Sequence, residues 1–144
     1  MKIISTNKHA FHDFQIVEKF ESGLVLKGSE IKSIRAGGVS LRNSYVKVIG
    51  GEVFLLGTYI KPFQNSKIEA QRTRKLLLSR PQIKRLIGKT REKGLTLIPL
   101  KIYFKKNFAK IEIALAKGKR KYDRREEIKK RDTKREMRRE IKYH

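Results

Sequence analysis

Residues 95–116 read LTLIPLKIYFKKNFAKIEIALA, two long apolar-rich runs separated by Lys106-Asn107. Leu95 to Lys105 and Phe108 to Ala116 are the two longest strand signals in the chain, and the polar pair between them is a tight connection. The segment therefore predicts a β-hairpin. A second hairpin lies upstream. Tyr45, Val46, Val48 and Ile49 form one strand, Gly50-Gly51 supplies a two-residue turn, and Val53 to Leu56 returns. Tyr59-Ile60 extends this region toward a further strand before Pro62.

Working outward, residues 1–10 read as a polar lead-in. His12 to Phe20 alternates, with Phe14, Ile16 and Glu18 on one face and Asp13, Gln15 and Val17 on the other, which predicts a strand. Glu21-Ser22-Gly23 reads as a turn into a short strand at Leu24-Val25-Leu26, so this pair is expected to form a further hairpin. Ser29 suits the N-cap of a helix over Glu30 to Ala36, with Glu30 facing the positive helix end and Ile31 and Ile34 as its apolar stripe. Gly37-Gly38 stops it. Residues 64–71 are a polar loop, and Arg72 to Leu78 reads as a short helix. Ser79-Arg80-Pro81-Gln82 is a capping box for a helix carrying Ile83, Leu86 and Ile87 and ending at Gly88.

The count is about six strands and two or three short helices. No helix lies between each successive strand pair, so a parallel doubly wound sheet is not expected. The fold class expected is mainly β: an OB-like closed antiparallel barrel over residues 1–116, which removes edge strands at this size. An open α+β sheet is the alternative.

Residues 117–144 form a different kind of sequence. They hold 14 Lys+Arg and 6 Asp+Glu, a net +8 in 28 residues. Glu126/Lys130 and Glu127/Arg131 are favourable helical pairs, whereas Arg135/Arg139 repel. Tyr122, Ile128, Met137, Ile141 and Tyr143 give no continuous stripe that would dock on the body. The reading is a basic C-terminal tail, disordered when free and helical where phosphates screen its charge. A coiled coil lacks apolar a and d positions. A merely solvated basic tail is the other alternative.

The whole chain has 144 residues with 37 Lys+Arg against 14 Asp+Glu, a formal net charge of +23. That imbalance calls for an anionic partner, nucleic acid first and an acidic membrane surface second. The N-terminal apolar run is too short for a signal peptide, and charge interrupts every apolar stretch, so no membrane span is expected. Cysteine is absent, which excludes disulfides and thiolate metal sites and is compatible with a cytoplasmic location. The histidines are His9, His12 and His144. The first two fall three apart, on opposite faces of the expected strand, which argues against a shared metal. No nucleophile triad or phosphate-binding glycine loop is present, so neither enzyme chemistry nor a cofactor is expected.

The candidate contacts are cationic. In Arg72-Thr73-Arg74-Lys75-Leu76-Leu77-Leu78, three leucines anchor three cations at one place on the surface, suited to gripping phosphate. The bland reading is a solvated cap on a buried helix. Asn7, Lys8, His9, Lys32, Arg35 and Arg42 add polar groups near the first strands. Glu21 is an acid at a turn of a basic protein. It accepts hydrogen bonds from base edges, fixes an arginine, or is a simple turn residue.

Several stretches together resemble the SsrA-binding protein family (small protein B), the partner of transfer-messenger RNA. They are Asn7-Lys8 with His12-Asp13-Phe14; Phe20 to Gly23; Gly28 to Gly37; Arg72 to Leu78; and Ala116 to Lys119 with Tyr122 to Glu126. The resemblance implies an OB-like RNA-binding barrel that holds the tRNA-like domain of transfer-messenger RNA. It implies delivery of that RNA, with elongation factor Tu and GTP, to stalled bacterial ribosomes, where the tail probes the empty mRNA channel. By this resemblance Asn7, His12, Glu21, Arg72, Arg74, Lys75, Leu77 and Lys110 are RNA-binding positions of the body. Lys117, Gly118, Lys119, Tyr122, Asp123 and Arg125 are ribosome-binding positions of the tail. Two departures stand out: Glu69-Ala70-Gln71 lacks the family's Asp-Pro before Arg72, and Tyr122 stands where some members have His. The competing readings are a structural ribosomal protein and a nuclease or RNA-modifying enzyme.

Overall fold

The computed structural model describes residues 1–92 and 94–118. The expectations for residues 119–144 lie outside the described residues. In chain order the elements are β1 (Lys2–Thr6), α1 (Lys8–Asp13), β2 (Phe14–Leu24), α2 (Gly28–Arg35), β3 (Val39–Ser40), β4 (Tyr45–Ile49), β5 (Glu52–Leu56), β6 (Tyr59–Ile60), β7 (Arg74–Leu77), α3 (Arg80–Thr90), β8 (Leu95–Lys105) and β9 (Phe108–Gly118).

The first two hairpins form. Lys106 and Asn107 turn β8 into β9 with φ of 51° and 70°, and Gly50 and Gly51 turn β4 into β5 with φ of 59° and 79°. These left-handed values match the twist of paired strands. The capping box of α3 also forms: the Ser79 hydroxyl accepts from the Gln82 amide, and the Gln82 side chain accepts from the Ser79 amide. The helix continues past Gly88 to Thr90, because a glycine inside a helix weakens it without ending it.

The described residues do not form a closed barrel. Seven strands make an antiparallel sheet in the order β1-β8-β9-β2-β7-β5-β4, and β3 pairs with β6 separately. The sheet curls so that β4 approaches β8, and β3 approaches β1, but these approaches carry no strand pairing. Among the described residues, the edges β1 and β4 therefore stay open.

Four other expectations change. Residues 1–10 contain β1 and the start of α1; β1 pairs with β8, a long-range partner that local sequence does not reveal. The expected hairpin at Glu21-Ser22-Gly23 does not form: Phe14 to Leu24 is one strand, held straight through those residues by pairing with β9 from Phe14 to Gly23. Arg72 to Leu78 contains a strand and not a helix: β7 lies between β2 and β5, burying Arg74 and Leu76 while Lys75 and Leu77 face out. Ser29 lies inside α2 rather than capping it; the Lys27 amide donates to Glu30 Oε1 at 2.9 Å.

Three extra residues set which face each strand segment presents. The pairing slips by one at Ile4 in β1, Val17 in β2 and Leu100 in β8. A one-residue bulge reverses the inward and outward parity of the side chains beyond it. Pro99, which has no N–H for a ladder, adjoins the β8 bulge. The inner face carries the main core, including Phe20, Leu55, Leu76, Ile102, Ile111, Ile113 and Leu115, closed by Ile34 of α2 and Leu86 of α3. Among the described residues, the outer face is covered at one end only. There α1 lays Ala10 over Ile98, Leu100, Ala114 and Ala116, whose alanines let the helix approach closely.

Candidate nucleic-acid interface

The uncovered part of the outer face is read from the register. Leu77 of β7 stands opposite Gly23 of β2, Gly23 opposite Lys110 of β9, Lys110 opposite Tyr103 of β8, and Tyr103 opposite Ile3 of β1. Alongside runs Lys47 of β4, Phe54 of β5 and Lys75 of β7. Cross-strand neighbours stand about 5 Å apart, so cations and apolar groups alternate across one continuous surface. Leu77 is 54% exposed, unusual for a leucine beside a core strand. Gly23 makes room for it: a Cβ there would lie 3.3 Å from the Leu77 Cβ.

Four of the sequence-predicted body residues meet on this surface: Glu21, Lys75, Leu77 and Lys110. Lys75 is held by Glu52, with Nζ 2.9 Å from Oε2. Glu21 receives a hydrogen bond from the Tyr103 hydroxyl at 2.5 Å and sits 3.4 Å from Lys105 Nζ. The Tyr103 bond, with the nearby lysines, holds the Glu21 carboxyl below its usual range despite some desolvation. Burial, with the carboxylate beside it, pushes the Tyr103 phenol far above its usual value, so it remains a donor.

Asn7 and His12 lie at the covered end of the same face. Asn7 is structural in its visible contacts. Its Nδ2 donates to Pro99 O at 2.9 Å and its amide to Leu100 O at 2.7 Å, tying α1 to the bulge of β8. His12 is exposed in α1, with Nδ1 3.2 Å from Asp13 Oδ1. His9 and His12 are therefore helical and not on a strand. Among the described residues no three acidic or histidine side chains cluster to hold a metal ion, and no helix is long and apolar enough to cross a membrane.

The expected three-cation cluster at 72–75 does not form at the surface. Arg74 is fully buried and faces the core. It donates Nε and Nη2 to Glu30 Oε2 at 3.1 and 2.7 Å, Nη1 to Thr58 O at 2.6 Å, and Nη2 to Ala70 O at 3.0 Å. Arg72 caps the same carboxylate, Nη2 to Glu30 Oε1 at 2.6 Å, and keeps 28% side-chain exposure. Burial acts to raise the Glu30 carboxyl, but hydrogen bonds from Arg72, the Lys27 amide and Arg74 outweigh it and hold the group below its usual range. Glu30 thus ties α2 to β7 and to the loop before it. A buried arginine saturated in this way has no donor fork left for phosphate. It shapes the strand that presents Lys75 and Leu77.

Tyr103 and Phe54 were missed in the sequence. The signal was present in β8, where Lys101, Tyr103 and Lys105 alternate with Ile102 and Phe104. At the other end of the hairpin, Lys117 and Gly118 complete β9 opposite Gln15 and Phe14, so the first two residues of the basic segment belong to the sheet.

The sequence model described as "SmpB protein" matches residues 4–143. The chain belongs to the SmpB family. The chain is 54% identical over 139 residues to the SsrA-binding protein of Carboxydothermus hydrogenoformans, covering 94% of this chain and 93% of that protein. It is 54% identical over 140 residues to the SsrA-binding protein of Persephonella marina, covering 95% and 92%. A solved chain described as "tmRNA-SmpB: a journey to the center of the bacterial ribosome" superposes with a TM-score of 0.68 at 44% identity, over 80% of this chain and 83% of that one. The SmpB match spans body and basic segment together, so both halves of the composition break are family features.

Proposed function

We propose that this chain is the RNA-binding adaptor of trans-translation. Its body binds the tRNA-like domain of transfer-messenger RNA and its basic segment probes the empty mRNA channel of the stalled ribosome. The observation that carries the reading is the SmpB match across residues 4–143, joined to an outer face that alternates cations with exposed apolar groups.

Phosphate contacts from Lys75, Lys110 and Lys47 supply affinity, and the rigid sheet supplies shape selectivity for a folded RNA. Leu77 and Phe54 offer apolar surface to bases or sugars. Asn7 acts by seating α1, which brings His12 to the rim of the face, and Arg74 acts by setting β7. Arg72 retains enough exposure to reach phosphate at the edge. In the basic segment, Lys117 and Gly118 at the end of β9, with Lys119, Tyr122, Asp123 and Arg125 after them, are the ribosome contacts. Ordering that segment costs about 1–2 kcal/mol per residue in backbone entropy. Only a passage offering many phosphates at once offsets this cost, so an occupied channel is refused without any catalytic group. Elongation factor Tu with GTP joins through the RNA complex, and the process is cytoplasmic.

Sequencing RNA that copurifies at moderate salt tests the reading. A single tRNA-like species is expected. Recovery of ribosomal RNA alone, assembled permanently into subunits, would identify a structural ribosomal protein instead.

A further inference from the structure

The outer face contains a charge arrangement that stability alone does not favour. Glu21 on β2 stands directly opposite Glu112 on β9. Like charges at facing positions repel. Each carboxylate is held by its own partners: Glu112 lies 3.9 Å from Lys101 Nζ, and Glu21 takes the Tyr103 hydroxyl on Oε2 with Lys105 Nζ at 3.4 Å. Tyr103 is only 3% exposed, whereas the Glu21 side chain is 40% exposed. A buried phenol therefore anchors an accessible carboxylate at one orientation.

On a face that binds phosphate, an exposed carboxylate repels the ligand unless it accepts hydrogen bonds from it. The Watson–Crick edge of an unpaired guanine offers two adjacent donors, its imino and 2-amino groups, spaced for the two oxygens of a carboxylate. Lys105 Nζ lies 3.4 Å from both carboxylate oxygens, so among the described residues Oε1 has no closer donor and Oε2 has only the Tyr103 hydroxyl closer, which leaves both able to accept from a ligand that displaces the exposed lysine. We propose that Tyr103 is a positioning residue that holds Glu21 to read the donor edge of an unpaired guanine in the bound RNA. The inference rests on the reading of this face as the surface for the tRNA-like RNA. Loss of the hydroxyl leaves the carboxylate present but free to close on Lys105, which already lies 3.4 Å away.

The test measures binding of the full chain to the tRNA-like RNA and to variants in which each unpaired guanosine is singly replaced by inosine, which lacks the 2-amino group. At one position inosine should weaken wild-type binding by about tenfold, within the range of a good two-bond base contact. Tyr103→Phe and Glu21→Gln should each abolish that preference, and the double variant should bind like either single one. The salt slope of Tyr103→Phe should equal that of wild type, because no phosphate contact is removed. Glu21→Gln alters an exposed side chain and keeps the test open if Tyr103→Phe folds poorly. Full guanosine preference in either variant, or no position sensitive to inosine in wild type, overturns the inference and leaves the adaptor reading intact. Failure of wild type to bind the RNA overturns both.

Discussion

Glu30→Gln should be among the most damaging single changes on the surface-distant side of the sheet. The substitution keeps the side-chain shape but leaves Arg74, which has no solvent exposure, without its counter-charge. Breaking a buried ion pair by removing one partner costs about 3–5 kcal/mol. For a body of this size each kcal/mol moves the melting temperature by about 4 °C, so the variant should melt about 12–20 °C lower. Urea unfolding of both proteins measures the loss directly. The double variant Glu30→Gln/Arg74→Met should lose clearly less than the sum of the two single changes, because it removes the orphaned charge. The pH dependence supplies an independent check. The Glu30 carboxyl is depressed in the folded protein, so its stabilisation is complete above the usual carboxylate range and disappears as pH falls through the lowered folded value. Glu30→Gln should lack that part of the acid limb. A loss below about 1 kcal/mol, or acid limbs of equal depth in the two proteins, would refute the account of Glu30 as the tie between α2 and β7.

Lys75→Ala with Lys110→Ala should weaken binding of the tRNA-like RNA and reduce the slope of log affinity against log salt by nearly 2, about 0.9 per phosphate contact. An unchanged slope would move the phosphate path elsewhere. Truncation after Gly118 keeps β9 whole, so it should spare the melting temperature and the binding of that RNA while abolishing rescue of stalled ribosomes in a reconstituted translation assay. Equal loss of both activities would make the basic segment a general RNA anchor. Ser79→Ala should cost about 1 kcal/mol in urea unfolding through the lost cap of α3, with RNA binding at saturation unchanged. A neutral result would show that Pro81 alone sets the helix start.

Local chemistry determined much of this protein. The turn residues Gly50-Gly51 and Lys106-Asn107 fixed both hairpins, Ser79 to Gln82 fixed the start of α3, and the break at Ala116 separated an apolar-patterned body from a polycation. The motif set from Asn7 to Glu126 pointed to the family before any geometry. Tertiary structure decided the rest, because the rest depended on partners far away in sequence. Leu76-Leu77-Leu78 has no period of its own, so only β2 and β5 on either side made its neighbourhood a strand and turned Arg74 inward and Lys75 outward. Ile3 and Lys2 look like a frayed end until β8 pairs with them. Bulges at Ile4, Val17 and Leu100 reverse side-chain parity without a signature that alternation alone could register, and closure of the sheet depended on whether β4 and β1 met. Charge can be read from composition; whether a given arginine faces phosphate or a buried glutamate is a property of register.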